Sequence, residues 1–208
     1  MHLAPVTLKG EAVRLEPLSL DHLPALCQVG LEPSIWRWTT VQIATPEEMR
    51  SYVEDALRSR DAGTAMPFAT VDVASGRVAG TTRYGNIDLA NRKLEIGWTF
   101  VAPAWQRTRT NTEAKCLMLR YAFETLRCIR VEFKTDALNE TSRRAIARIG
   151  AREEGTLRHH MICADGRFRD TVYFSVIASE WPAVKAALEE KLQRREAGGG
   201  GSSGRSPR

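Results

Sequence analysis

Nowhere in this chain do 18 apolar residues follow one another, and its first residues carry no apolar run of the signal-peptide kind. A membrane-spanning helix is therefore not expected, and the cytoplasm is the expected compartment. Cysteine is sparse and scattered: Cys27, Cys116, Cys128 and Cys163 form no C-x-x-C pair, which speaks against a zinc ribbon or a dithiol redox motif. They read as reduced and mostly buried. There is no H-x-H, and the neighbours His159 and His160 have no cysteine pair close by, so no metal site is expected. An excess of one charge is also missing from the body. The net charge of +5 comes mainly from Lys191 to Arg208, which hold five of the 30 basic residues and one of the 25 acidic ones. The rest carries 25 basic against 24 acidic residues, too balanced for a nucleic-acid partner.

What is present suits a folded domain. The length of 208 residues, with 43% hydrophobic and 26% charged residues, fits one domain with a real core. That domain is expected over 1–196. Residues 197–208, rich in glycine, serine and arginine, read as a flexible tail.

Along the chain, alternation predicts a strand over 12–18, and Ser19 caps a helix ending near Gly30. Trp36 and Trp38 follow in a stretch without period, where they either line a ligand groove or plug the core. Thr45-Pro46-Glu47-Glu48 is a capping box that opens a second helix. Strands over 66–73 and 77–84 flank the turn 74–76. Later come a strand over 129–135, a short helix from Asn139 to Gly150, a hairpin over 152–163 and 168–177, and a terminal helix over 180–196. The order β-α-α-β-β-β-α-β-α-β-β predicts an α+β fold around one mixed sheet.

The centre of this pattern is 93–120, KLEIGWTFVAPAWQRTRTNTEAKCLMLR. Leu94, Ile96, Trp98 and Phe100 alternate with Glu95, Gly97 and Thr99, so Glu95 is expected on the face opposite Trp98. Gly97 stands where a bulge, or a close approach of a neighbour, is expected. The polar run Gln106, Arg107, Thr108, Arg109, Thr110, Asn111 and Thr112 then leads into a helix with apolar positions Leu117, Tyr121, Ala122 and Leu126. A strand feeding a helix through such a loop leaves backbone N–H groups at the positive end of a helix dipole, a place suited to a pyrophosphate.

This segment resembles the cofactor motif of the GCN5-related N-acetyltransferase (GNAT) superfamily, Q/R-x-x-G-x-G/A. Its Asn-Thr-Glu-Ala-Lys run, 111–115, is similar to the Rim-type branch, which acetylates N-terminal amines of ribosomal proteins and includes small-molecule relatives. The resemblance spans roughly 7–180. It implies a GNAT-like fold: one mixed, mostly antiparallel sheet flanked by helices, splayed between the strand over 93–101 and that over 129–135. It further implies that acetyl-CoA is the co-substrate and that the acceptor is a primary amine of a peptide or small molecule. Either a monomer or a homodimer is compatible with the sequence. The chain departs from the motif at Arg109, which stands where the family has its first glycine. There an arginine costs about 1–2 kcal/mol if the backbone is left-handed, while its guanidinium can itself grip a phosphate.

The resemblance also distributes roles. Thr99, Phe100 and Val101 are expected to supply backbone contacts to pantetheine and to the oxyanion. Asn139 and Ser142, the Rim-type N-x-x-S, are expected at the pantetheine arm and the thiol, unless they serve only as helix cap and first-turn residue. His159 and Tyr173 lie on the last hairpin, which walls the acceptor side. From its own position Glu95 is the best base, the alternative being a solvated partner of Arg83. Glu113 is explained by the helix dipole. The expected activity is acetyl transfer from acetyl-CoA to an amine; the alternative is an acyl-CoA-binding protein without catalysis.

Overall fold

The computed structural model describes residues 4–197. Alternating apolar residues start the fold: β1 (Leu8–Lys9) pairs antiparallel with β2 (Val13–Pro17), whose Val13 and Leu15 are buried. A 3-10 turn leads into α1 (Leu23–Gly30), and α2 (Pro33–Trp36) is a single turn. Thr45 opens α3 (Pro46–Asp61) as its capping box predicts. Its hydroxyl accepts the Glu48 N–H at 3.2 Å, and the Glu48 carboxylate accepts the Thr45 N–H at 3.0 Å. Then follow β3 (Met66–Asp72), β4 (Val78–Asp88) and β5 (Lys93–Val101) as an antiparallel meander. α4 (Thr110–Arg120) runs into a π-helical turn at Tyr121–Thr125, which ends the helix short of Leu126. The chain finishes with β6 (Arg130–Asp136), α5 (Glu140–Arg148), β7 (Arg152–Ile162), β8 (Phe168–Ile177) and α6 (Trp181–Ala197). No described helix is long and apolar enough to cross a membrane. Cys116, Cys128 and Cys163 are buried, and Cys27 is half-buried. The stretch from Gly198 onward, expected to be a flexible tail, lies outside the described residues.

The strands form one sheet in the order β1-β2-β3-β4-β5-β6-β8-β7, antiparallel except between β5 and β6. Each face carries its own apolar core. Leu15, Phe68, Tyr84, Met118, Phe133 and Leu188 pack with α4 and α6, while Leu26, Trp36, Met49, Val53 and Phe100 pack with α1, α2 and α3 on the other side. The expected α+β sheet and its splay are both present. β5 and β6 pair only at Lys93↔Arg130, Leu94↔Val131 and Glu95↔Glu132. Beyond these pairs the two strands continue without bonding to each other, and a V opens between their C-terminal halves.

The bulge that bends β5 is at Trp98 rather than Gly97. Pairing passes from Arg83↔Gly97 to Thr81↔Phe100, so Trp98 and Thr99 together oppose Thr82. Trp98 takes a positive φ of 47°, which a residue with a Cβ adopts only where surroundings hold it. The Tyr52 hydroxyl does so by donating to the Trp98 carbonyl at 3.1 Å. The extra residue breaks the alternation, and Trp98 turns onto the face of Glu95 instead of the opposite one. Gly97 is small for another reason: a Cβ there would lie 2.7 Å from Glu95 Oε1.

Candidate active site

The loop from β5 to α4 is tied by its own polar groups. Gln106 Nε2 donates to the Val101 carbonyl at 2.9 Å, and the Thr108 hydroxyl donates to the Trp105 carbonyl at 2.7 Å. Thr108 also accepts the Thr110 N–H at 3.2 Å. The left-handed residue of the loop is Arg107, with φ 62°. Arg109 is helical (φ −67°, ψ −25°), so the strain considered for an arginine in place of glycine does not arise. Arg109 is the N-cap of α4 without a side-chain cap bond. Its Nη2 lies 3.2 Å from Glu11 Oε2 and 3.7 Å from Glu113 Oε1, strapping the start of α4 to the turn before β2. Thr110 and Thr112 are buried, and the Thr112 hydroxyl accepts from Arg148 at 2.8 Å. Asn111 is half-buried between them.

Behind this helix start are two buried charges whose work the sequence did not reveal. Glu113 accepts the N–H groups of Glu11, Ala12 and Val13 at 3.1, 2.7 and 2.7 Å. It is therefore the anchor of β2 on α4, not only a complement to the dipole. Lys115 donates to the Thr99 hydroxyl at 2.6 Å and the Thr82 hydroxyl at 3.1 Å, and these hydroxyls are 2.8 Å apart. Burial pushes its pKa down to about 7. The available signal was charge inside a run, 112–119, that has no polar face of its own.

On the opposite face, Glu95 is 2% exposed. Its Oε2 accepts from Asn86 Nδ2 at 2.7 Å and pairs with Lys134 Nζ at 3.1 Å, so the partner proposed from sequence, Arg83, is replaced by Lys134. Lys134 also lies 5.6 Å from the centre of the Trp98 ring. Asp136, buried on β6, pairs with Arg167 at 2.5 Å. Trp38 sits between two guanidinium groups, 4.8 Å from Arg37 and 5.7 Å from Arg167, and so joins the segment after α2 to the last hairpin.

Two expected acceptor residues lie elsewhere. Trp36 is 3% exposed, meets Tyr52 edge-on and Phe100 at a tilt, and donates its indole N–H to the Gly30 carbonyl at 2.7 Å. It is a plug in the α1–α3 core. His159 has a positive φ of 48° where the register of β7 shifts, and its ring packs on Phe168, which the alternation of β8 puts on the α4 face. Its neighbour His160 meets Tyr173 edge-on at 5.7 Å, and Tyr173 pairs with Lys134, which places both on the Glu95 face. Phe100 is buried in the core as well, leaving its backbone alone for any ligand.

The model of the Acetyltransferase (GNAT) domain matches residues 12–152. The chain belongs to the GNAT acetyltransferase family. It is similar to the uncharacterized N-acetyltransferase p20 of Bacillus licheniformis, 25% identical over 84% of this chain and 98% of that one. A GCN5-related N-acetyltransferase from Brucella melitensis superposes with TM-score 0.84 at 37% identity, covering 91% of this chain and 86% of that one. YdaF of Bacillus subtilis, provisionally named a ribosomal N-acetyltransferase, is 36% identical over 53% of this chain and 59% of its own length. RimJ of Mycobacterium smegmatis, solved with CoA-disulfide, has TM-score 0.74 at 24% identity over 86% of this chain and 89% of that one, a likeness of fold. Of these, the name of YdaF is in line with the Rim-type resemblance.

This GNAT enzyme is thus an acetyl-CoA-dependent N-acetyltransferase, and its residues fit that co-substrate. The edge of β5 beyond Glu95, unpaired with β6, suits an extended arm added as a strand, and the start of α4 suits phosphate. Across the V, at the start of α5, Asn139 Oδ1 accepts the Ser142 N–H at 3.0 Å. The capping role is therefore present.

Proposed function

We propose that this enzyme carries the acetyl group directly from acetyl-CoA to a primary amine held in the same complex, with no acyl-enzyme step. The observation that carries the reading is the V itself: a splayed strand edge on one side and the buried carboxylate of Glu95 beside it. Acetyl-CoA supplies an acyl thioester carbon open to attack. Glu95, steadied by Asn86 and Lys134, takes a proton from the acceptor's ammonium, and the freed amine attacks. Backbone N–H groups at Thr99, Phe100 and Val101 hold the charge that develops on the carbonyl oxygen. Ser142 returns a proton to the leaving thiolate, and Asn139 steadies the arm. Gln106, Arg107, Thr108, Arg109, Thr110, Asn111 and Thr112 form the pyrophosphate seat. Trp38 and Tyr173 wall the acceptor, with His160 taking the place given to His159. The name of YdaF supports a ribosomal-protein N-terminus as acceptor; a small-molecule amine fits the same chemistry. The cytoplasm is the compartment consistent with this reading.

The test has two stages. Acetyl-CoA at a hundredfold excess over its dissociation constant should stabilise the fold by about 2.7 kcal/mol. No shift in Tm at millimolar acetyl-CoA overturns the reading. Release of free CoA thiol with a panel of amines should then follow; binding with no release from any amine returns the non-catalytic alternative.

A further inference from the structure

We propose that Arg83 anchors an anionic group of the acceptor, so that the favoured substrate is an amine that also carries a carboxylate or a phosphate. The inference rests on the acetyl-transfer reading above and names the substrate class for that site. Arg83 projects from β4 onto the Glu95 face and is 7% exposed. Among the described residues it has no carboxylate within 4 Å and no hydrogen bond, and its contacts are two rings: Tyr52 at 5.4 Å and Trp98 at 5.1 Å. The neighbouring cations of this face each have a carboxylate near. Lys134 has Glu95, Arg167 has Asp136, and Arg169 lies 4.0 Å from that same Asp136 with its Nε in no hydrogen bond.

A guanidinium on a residue this covered, with no acid to pair it, is an unusual thing for a fold to keep. The rings offset part of the cost, but they cover faces and accept none of its five N–H groups. Those donors lie in the guanidinium plane as a fork that matches a carboxylate or phosphate. The seat is built rather than incidental. A Cβ on Gly85 would come within 2.3 Å of the Trp98 ring, so a glycine is needed for the ring to stand there. Tyr52 is fixed by its bond to the Trp98 carbonyl.

Spacing then selects the ligand. Arg83 is opposite Gly97, and Gly85 opposite Glu95, which makes Arg83 and Glu95 diagonal neighbours on one face. Such positions lie about 7–8 Å apart. A molecule whose amine meets Glu95 and whose anion sits a few bonds away reaches both.

The experiment uses matched acceptors on the full chain: propylamine against β-alanine, and ethanolamine against phosphoethanolamine. Acceptor affinity is read by calorimetry with CoA bound, and kcat and KM by thiol release. In at least one pair the anionic member should bind roughly 10- to 100-fold more tightly, and the pair that responds identifies carboxylate or phosphate. Arg83→Gln should abolish that preference, with retained acetyl-CoA binding showing that the variant is folded. Arg83→Lys, with charge but no fork, should keep only part of it. Equal affinities within both pairs, or a preference that survives in Arg83→Gln, overturns the assignment. If acetyl-CoA itself fails to bind the native chain, the acetyl-transfer reading falls and takes this one with it; binding without discrimination removes the Arg83 assignment alone.

Discussion

On the α4 face of β5 the buried charged groups are engaged by the protein itself. Glu113 receives three backbone N–H groups, and Lys115 has two hydroxyls that also bond to each other. On the other face Glu95 is held by two donors yet keeps Oε1 toward the space that Gly97 leaves empty, and Arg83 has rings but no acid. Burial is similar on the two sides. What differs is whether the hydrogen-bonding capacity is used up. A saturated buried charge fixes the fold, and one with spare capacity is poised for a ligand.

The largest expected effect tests the unsaturated side. Glu95→Gln should lower kcat roughly 10²- to 10⁴-fold with little change in acetyl-CoA affinity. An unchanged pH–rate profile would remove Glu95 from the mechanism and move it to the saturated class.

The saturated side should answer in stability instead. Glu113→Ala strands three N–H groups at the start of β2 and leaves Arg109 without its helix partner. Urea unfolding should show a loss of about 3–5 kcal/mol, the range for breaking a buried charged network. Glu113→Gln, which keeps an acceptor, should lose less. A loss below about 1 kcal/mol in the alanine variant would show that water can replace the carboxylate, and the contrast between the faces would weaken.

The same contrast explains what could be read without coordinates. Helix caps such as Thr45, the strand alternation at Val13 and Leu15, and the hairpin turns are local, and the sequence states them directly. So is the loop after β5, which resembles a known motif. The bulge is not local: nothing in Gly97-Trp98-Thr99 says which residue takes positive φ, because Tyr52 from α3 and Gly85 from β4 decide it. One unpaired residue then reverses every face assignment beyond it, which is why Trp98 was expected on the wrong side. The side on which His159 lies is set in the same way, by the register shift in β7. The burial of Lys115 and Arg83 is set by packing from other elements, so residue type alone does not announce it.

Lys115 offers a smaller effect with a definite sign. Its pKa is about 7 in the folded chain and near the ordinary 10.5 when unfolded. Between those values the unfolded chain holds a proton that the folded one lacks. Stability should therefore rise with pH across this window, by about 1.4 kcal/mol per unit from this one group, and level off below pH 7. Lys115→Met should remove that slope and stabilise the protein by about 1–2 kcal/mol at pH 8, since Thr82 and Thr99 still bond to each other. Urea unfolding at pH 6, 8 and 9.5 checks it. A variant that keeps the slope would show that the titrating group is elsewhere.

The smallest expected effect concerns Arg109, which stands between the two classes: its guanidinium is engaged, but one partner, Glu11, is a mostly exposed carboxylate. An exposed pair of this kind contributes about 0–1 kcal/mol, so phosphate can compete for the guanidinium at little cost. A charge-assisted bond to phosphate is worth about 1.5–3 kcal/mol, from which the released pair must be subtracted. Arg109→Ala should therefore weaken acetyl-CoA binding by about 1 kcal/mol, and the loss should shrink as salt rises. Arg109→Gly should weaken it too. The backbone at this position is already helical, so a glycine relieves no left-handed strain and adds freedom at the first turn of α4. Calorimetry on both variants at two salt concentrations separates the accounts. Tighter binding by the glycine variant would mean that the arginine crowds the loop, and Arg109 would then join Glu113 as a structural strap with no part in holding the co-substrate.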